Sequence, residues 1–341
     1  MKAAFFLGNE SFDVVEQDIP EVSNDEVLIR NKFCGVCGTD VHIYFGEPGS
    51  ADVNPPVVLG HEYSGVVVKT GMNVKNITVG SHVTVDPNIY CGECIWCRNG
   101  KKQMCPNMQA VGVTRNGGFE EYSVVPKEQV FRLDDNVPFE YAAMAEPLAC
   151  CIHGIDTAQI KTGDNVVIVG GGAIGLIMAQ LAKLSGAAKV VVSEPVEQRR
   201  NAACEIGADL TVDPINEDIV SRISDFFGEP GADVVIECVG NVAAVDSAVK
   251  MAKKGGTIVL FSVPKIGSEY SLDLFSVYKK ELTIKGSFVN PDTHQRAVNL
   301  INSGRINFKP IITHKYSIDE IEEAIKMQMS NDSIKVIVEA V

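Results

Sequence analysis

The chain has 341 residues, 45% of them hydrophobic and 22% charged, a composition that indicates a globular protein of about two domains and excludes a disordered one. With 44 acidic and 30 basic residues, its formal net charge is −14. This acidic balance argues against nucleic acid as a partner, because duplex binding depends on clustered Lys and Arg.

Residues 1 to about 150 carry short alternating apolar runs, such as 27–29 and 65–68, separated by Gly, Pro and Asn. This pattern is typical of a β-rich domain. From about residue 155 to 290, short apolar strands alternate with helical patterns, which predicts βαβ units and a parallel sheet. The predicted strands are 166–169, 190–192, 210–212, 234–236 and 257–260, and the clearest helices are 173–185 and 197–206.

After residue 290 the chain again mixes helix and strand and ends in the apolar run 335–338. This tail is too short for a third domain, so we expect it to return to the first. The prediction is an α/β protein with a discontinuous domain, residues 1–150 and 291–341. A doubly wound parallel domain, residues 151–290, is inserted into it.

A glycine motif follows the predicted strand 166–169 and opens the next helix, as a dinucleotide-binding fingerprint requires. Glycine lets the backbone approach a pyrophosphate, and the helix N-terminus supplies unpaired N–H groups. Glu194 ends the next strand, where a carboxylate binds an adenosine ribose and repels a 2′-phosphate, which favours NAD over NADP. Arg199 could stack on the adenine or reach a phosphate. The alternative is a turn needed only for packing. The motif consists of Gly170, Gly171, Gly172, Ala173, Ile174 and Gly175.

Four cysteines, Cys91, Cys94, Cys97 and Cys105, lie within fifteen residues. Four closely spaced thiolates suit a tetrahedral structural zinc site without an open position. An iron–sulfur cluster is the alternative, but a ferredoxin has three residues before its last cysteine and this loop has seven.

The other cysteines and several histidines have no motif of their own. No stretch is typical of a secretory signal or a membrane span, so we expect a cytoplasmic protein with reduced thiols. We interpret the remaining unassigned cysteines as small core residues and the histidines as structural or surface residues. These residues are Cys34, Cys150, Cys151, Cys204, Cys238, His82, His153, His294 and His314.

Cys37, His61 and Glu62 lie in glycine-bounded segments of the first domain and could form a three-ligand zinc site with an open position. Such a zinc ion lowers the pKa of a bound alcohol. Glu146 offers another carboxylate just before the second domain. Spacing alone does not join these residues, since single cysteines are often core residues and His-Glu pairs often lie at the surface.

The chain carries five motifs in a fixed order, and together they resemble the zinc-containing medium-chain dehydrogenases along essentially its whole length. The motifs are Cys-Gly-Val-Cys-Gly-Thr-Asp at 34–40, Gly-His-Glu-Tyr-Ser-Gly at 60–65, the four-cysteine loop, Glu-Pro-Leu-Ala at 146–149 and the glycine motif. The resemblance implies a GroES-like catalytic domain, a Rossmann domain and an active site in the cleft between them. It implies catalytic zinc on Cys37 and His61, with either Glu62 or Glu146 as the direct carboxylate ligand.

The resemblance also implies roles for residues outside the metal clusters. Thr39 would accept the alcohol proton and pass it along the nicotinamide ribose to His42 for release; the alternative is a turn cap and a solvated loop histidine. Residues at the ends of late strands would meet the nicotinamide amide. These residues are Ser262, Val263, Ser287 and Phe288.

The pattern is most similar to polyol dehydrogenases of the sorbitol and arabinitol type, which implies oxidation of a secondary hydroxyl to a ketose. Sorbitol dehydrogenases have an Arg-Tyr pair where this chain has Val289-Asn290, so sorbitol itself is doubtful. Residues 37–44 and 310–314 match threonine dehydrogenases, so L-threonine and 2,3-butanediol are the alternatives. A non-catalytic zinc- and nucleotide-binding sensor is an alternative of another class. The resemblance further implies a homo-oligomer, a dimer or tetramer, that pairs through 258–261 and 282–286.

Overall fold

A computed structural model describes residues 1–47, 49 and 51–341. The chain forms two compact units. Unit 1 contains residues 1–149, 289–308 and 312–341, and unit 2 contains residues 150–288 and 309–311. Among the residues described, no helix has both the length and the apolar character needed to span a membrane.

The strands are β1 Lys2–Gly8, β2 Ser11–Glu16, β3 Glu26–Gly35, β4 Val57–Val58, β5 Glu62–Thr70, β6 His82–Val85, β7 Asn88–Ile89, β8 Gln109–Ala110, β9 Tyr122–Pro126, β10 Val130–Arg132, β11 Asn165–Val169, β12 Lys189–Ser193, β13 Leu210–Val212, β14 Ala232–Glu237, β15 Ala252–Leu260, β16 Thr283–Gly286, β17 Ile312–Ser317 and β18 Lys335–Glu339. The α-helices are α1 Gly38–Tyr44, α2 Ile95–Arg98, α3 Phe139–Ala142, α4 Ala145–Ala158, α5 Ala173–Leu184, α6 Glu197–Glu205, α7 Ile219–Phe227, α8 Val242–Met251, α9 Leu274–Lys280, α10 His294–Asn302 and α11 Ile321–Gln328.

Unit 1 is built on a seven-stranded sheet in which β10, β6, β5, β3, β18 and β17 follow one another and β9 also pairs with β3. The C-terminal strand β18 pairs antiparallel with β3, with Ile337 opposite Gly35. The tail of the chain therefore completes the sheet of the first unit. The alternating inward side chains of these strands, among them Ile29 and Val67, form its buried core.

Glu120 is a buried carboxyl of unit 1 that forms no ion pair with the residues described. Glu120 is 3% exposed, and Nε2 of Gln17, at 3.4 Å, donates to its carboxylate. Burial raises the pKa of the Glu120 carboxyl from its ordinary value of 4.5 to about 8. The folded protein therefore binds this proton more tightly than the unfolded chain does.

The free energy of unfolding should consequently fall as the pH rises from about 4.5 to 8, by up to about 5 kcal/mol. Glu120→Gln removes this component, so its urea-unfolding free energy should change less between about pH 5 and pH 8.5 than that of the wild type. The exposed control Glu128→Gln should keep the wild-type difference. An unchanged pH dependence in Glu120→Gln would contradict the assignment.

Unit 2 is a six-stranded parallel sheet in the order β13, β12, β11, β14, β15, β16. Its central strands are continuous Val and Ile runs because helices cover both faces. The strand order reverses between β11 and β14, which is the doubly wound arrangement that binds dinucleotides at the carboxyl ends of the strands. The predicted α/β fold class is confirmed.

Two expectations about unit 2 are wrong. Cys204 is exposed rather than in the core, because Ala202 and Ala203 form the buried side of α6 and the following residue points outward. Residues 258–261 do not form a sheet edge, because β15 lies between β14 and β16, and Ile258 is completely buried. The edge strand is β16, within the predicted segment 282–286.

Candidate metal centres and dinucleotide site

Strand pairing in unit 1 assembles the first cluster. Gly35, the last residue of β3, lies opposite Glu62, the first residue of β5. Cys37 comes just after the end of β3 and His61 just before the start of β5, so the pairing brings the two residues close together. The ligand atoms of Cys37, His61 and Glu62 all lie within 4.8 Å of one another. His61 is 6% and Glu62 1% exposed, so this sulfur, imidazole and carboxylate form a shielded set of metal ligands.

Asp40, on the first turn of α1, orients two of these ligands. One carboxylate oxygen accepts the backbone N–H of Cys37 at 2.8 Å, and the other lies 3.5 Å from Nδ1 of His61. Burial would lower the pKa of His61, but Asp40 and Cys37 outweigh it and raise that pKa well above its ordinary value. A carboxylate this close to one ring nitrogen leaves the other for a metal, an arrangement usual behind metal-binding histidines.

Lys335 lies behind the third ligand. It begins β18, is 4% exposed, forms an ion pair with Glu62 and donates to the carbonyl oxygen of Val36 at 2.9 Å. Burial would lower the pKa of Lys335, but the carboxylate of Glu62 outweighs it and the pKa is raised. The pair needs glycine at 35, because a Cβ there would lie 2.9 Å from Cε of Lys335.

These residues fit a zinc ion with three protein ligands and one open position. The fit rests on the donor set, in which His61 and Glu62 are buried and Cys37 is partly exposed, and on Asp40, whose Oδ1 makes no hydrogen bond among the described residues beyond its 3.5 Å approach to His61. Glu146 is 7% exposed in the first turn of α4 but is not part of the group. The geometry therefore favours Glu62 over Glu146 as the carboxylate ligand.

The second cluster is the four-cysteine loop around α2. The sulfur atoms of Cys91, Cys94, Cys97 and Cys105 lie within 4.8 Å of one another, and all four cysteines are free thiols. Backbone N–H groups of Glu93 and Cys94 lower the pKa of Cys91 to about 7. Burial instead raises the pKa of Cys97 to about 12, so it is the close approach of the four sulfur atoms that fits a four-thiolate structural metal site.

The glycine motif lies in unit 2 between β11 and α5, as predicted. Gly170 has a φ of +102°, and Gly172 caps α5 with no side chain. A Cβ at Gly172 would meet nothing within 4 Å, whereas one at Gly171 would lie 2.9 Å from Cγ of Glu194. Packing therefore does not require the glycine at 172, and the open space beside the helix N-terminus fits a pyrophosphate.

Glu194 is 3% exposed and accepts the backbone N–H of Gly171 at 2.6 Å and that of Val196 at 2.9 Å. Each carboxylate oxygen can accept a second hydrogen bond, so the group can still bind a ribose diol. Arg200, which the sequence analysis did not single out, donates to the carbonyl oxygens of Glu194 and Pro195.

The other predicted site residues are divided between the two units. Thr39 and His42 lie on α1 of unit 1, next to the first cluster in sequence. Ser262, Val263, Ser287 and Phe288 lie in unit 2, beyond the ends of β15 and β16. Oγ of Ser287 is buried with no hydrogen-bond partner among the described residues, which suits a polar contact with a ligand.

Asn290, which replaces part of the Arg-Tyr pair of sorbitol dehydrogenases, is completely buried. Its side chain accepts from Nδ2 of Asn88 at 2.5 Å and donates to Asp86 at 3.3 Å. These bonds hold it inside unit 1, so its amide is committed to the protein.

Sequence reasoning missed Asp40 and Lys335. Asp40 had a local signal, since an acidic residue three positions after a helix N-cap is typical of a capping box. Lys335 had only the weak signal of a lysine beginning an otherwise apolar strand, and its partner Val36 is 299 residues away.

The chain matches two family models, the alcohol dehydrogenase GroES-like domain over residues 23–135 and the zinc-binding dehydrogenase domain over residues 173–303. It is 36% identical to L-threonine 3-dehydrogenase of Pyrococcus furiosus over 95% of this chain and 94% of that protein. It is 33% identical to D-arabinitol dehydrogenase 1 of Uromyces fabae over 99% of this chain and 97% of that protein. The crystal structure of a zinc-binding dehydrogenase from Sinorhizobium meliloti bound to NADP matches with a TM-score of 0.95 and 39% identity, covering 99% of this chain and 98% of that one. The chain therefore belongs to the zinc-containing medium-chain dehydrogenase family of oxidoreductases.

Proposed function

We propose that this protein oxidises a secondary hydroxyl of a small polyol to the ketose, with NAD as the hydride acceptor and one catalytic and one structural zinc ion. The observation that carries the proposal is the cluster of Cys37 with the buried His61 and Glu62, in a chain that also holds a complete dinucleotide fingerprint. A zinc ion held there would polarise the substrate hydroxyl and make it more acidic.

The residues around the cluster then have separate roles. Asp40 positions Cys37 and His61, and Lys335 positions Glu62. Thr39 accepts the proton of the substrate hydroxyl, and His42 releases it toward solvent. Glu146 supplies an outer carboxylate beyond the three ligands.

NAD rather than NADP is the proposed cofactor. The carboxylate of Glu194 would repel a 2′-phosphate, and Arg199, which lies on α6, would stack on the adenine or reach a phosphate. Ser262, Val263, Ser287 and Phe288 would bind the nicotinamide amide, a role supported by the buried hydroxyl of Ser287.

The cofactor preference should change in Glu194→Gln, which keeps a hydrogen-bond acceptor for Gly171 but loses the charge. Loss of one charge-assisted hydrogen bond should weaken NAD binding about tenfold, while NADP binding improves. The matched control is Glu197→Gln, whose carboxylate is exposed at the start of α6, three residues after Glu194. Titration calorimetry with both dinucleotides measures the ratio, and an unchanged ratio would contradict the ribose role.

A neutral substrate is supported by the charges of unit 1. Lys335 is the one buried lysine or arginine in the described part of the chain, and it is already paired with Glu62 and Val36. It therefore offers no free cation to the carboxylate of an amino acid, whereas a polyol needs none. Threonine remains the second candidate because relatives that bear that name match nearly the whole chain.

The proposal is tested by following NADH formation with D-arabinitol, xylitol, 2,3-butanediol and L-threonine on zinc-loaded enzyme. We expect kcat/KM for a polyol to exceed that for threonine at least tenfold. A higher value for threonine or butanediol would overturn the substrate class. No turnover of any secondary alcohol would instead favour the zinc- and nucleotide-binding sensor.

We also propose that the protein is a cytoplasmic homo-oligomer. Its ten cysteines are all free thiols, which suits a reducing compartment. The edge strand β16 exposes Ile284, and helix α9 has an apolar surface on which Leu274 is 76%, Phe275 66% and Tyr278 80% exposed. A second copy pairing at this edge would cover it, and light scattering of the wild type and of Tyr278→Glu distinguishes monomer, dimer and tetramer.

A further inference from the structure

His42 contacts the loop residue Glu47 at two points. It lies in the last turn of α1, and Gly46, with a φ of +77°, reverses the chain after that helix. The backbone N–H of Glu47 donates to the carbonyl oxygen of His42 at 2.9 Å, and Oε2 of Glu47 lies 2.6 Å from Nδ1 of the ring. Both side chains are about one third exposed. One contact therefore holds the backbone of His42, and the other holds its ring at Nδ1.

These contacts decide which ring nitrogen is available. An ionised carboxylate only accepts hydrogen bonds, so Nδ1 carries the hydrogen and Nε2 keeps its lone pair. An incoming proton can then bind at Nε2 while the proton on Nδ1 leaves toward Glu47. A histidine held in this way can accept a proton at Nε2 and release another from Nδ1.

We propose that Glu47 is the exit of the proton relay, a positioning residue for His42 that also takes the proton from it. The inference rests on the proposed function and extends it by one residue. The N–H bond at Nε2 forms, the N–H bond at Nδ1 breaks, and the proton passes to Oε2 of Glu47 and then to water. Exchange with water returns the ring to its first tautomer, and no electrons are transferred.

The surroundings of Glu47 give the proton a path to solvent. Glu47 lines an open cleft of about 440 Å³ in unit 1, together with Asn9 and Asp52. Helix α11 packs against α1, and its Glu322 accepts the N–H of Phe12 and pairs with Lys326. Among the described residues Glu47 is the one carboxylate bonded to His42.

Glu47→Ala should change the tautomer of His42, because Nδ1 then loses its acceptor. Nitrogen-15 spectra of histidine-labelled protein, assigned with a His42→Asn variant, should show the His42 ring shift toward the Nε2–H form. Asp52→Asn removes a carboxylate from the same cleft and should leave those signals unchanged. An unchanged His42 spectrum in Glu47→Ala would overturn the positioning role.

In turnover with the best secondary alcohol, Glu47→Gln keeps a hydrogen-bond acceptor but cannot take a proton, so kcat should fall about a hundredfold. KM should stay within about twofold, and added formate should restore part of kcat in Glu47→Ala, which a structural defect would not allow. A kcat near the wild-type value in Glu47→Gln would overturn the exit role. If the wild type oxidises no alcohol, the proposed function fails and the exit role with it, while the spectra still decide the positioning role.

Discussion

Cys37→Ala is expected to lower kcat/KM by at least about a thousandfold, because a metal ion that lacks one of three ligands loses several kcal/mol of charge stabilisation. Zinc content should fall from about two ions per chain to about one, since the four-cysteine loop keeps its own ligands. NAD affinity should stay unchanged, because the fingerprint lies in unit 2 and Cys37 in unit 1. Elemental analysis, calorimetric NAD titration and NADH formation measure the three quantities.

Cys34→Ala is the matched control. Cys34 is completely buried three residues before Cys37 but is not part of the metal-binding group. This variant should keep about two zinc ions per chain and measurable turnover. If Cys37→Ala kept its activity, or if both variants lost the same metal, the catalytic zinc would have to lie elsewhere.

Lys335→Met should destabilise the zinc-free protein by about 3–5 kcal/mol, because it leaves the Glu62 carboxylate buried without a partner. The methionine is similar in length, so the loss of packing is small. Zinc should reduce this penalty, since its charge then pairs with Glu62. Urea unfolding in the presence of a chelator and in the presence of zinc measures both values.

Lys326→Met controls for the loss of a lysine in the same unit. Lys326 pairs with Glu322 at 3.5 Å but its side chain is 59% exposed, so removing it should cost only a small part of the effect at Lys335. Lys335→Arg keeps the charge and should recover much of the loss. Equal effects of Lys326→Met and Lys335→Met would show that the buried pair contributes nothing special.

The sequence was sufficient wherever the interacting residues are close along the chain. The glycine motif needed only the strand before it and the helix after it, and both lie where the periodicity predicts them. The four cysteines lie within fifteen residues, so a short loop brings their sulfur atoms together. The order of strands and helices likewise predicted the parallel sheet of unit 2.

Contacts between residues that are far apart in the sequence were harder to predict. Spacing could not join Cys37 to His61, and the family resemblance was needed to do so. Periodicity also failed for Cys204, because one position on a short helix separates its buried side from its exposed side. For residues 258–261, an apolar run could not distinguish an inner strand from an edge strand.

The sequence by itself therefore determined the fold class, the dinucleotide motif, the four-thiolate loop and the family. The tertiary structure decided that Glu62 rather than Glu146 joins Cys37 and His61, and that Lys335 neutralises it. It also placed Asp40 behind His61 and Glu47 beside His42. The physical reason is that pairing of β3 with β5 and β18 brings distant residues together, and strand register depends on the whole sheet rather than on local residue spacing.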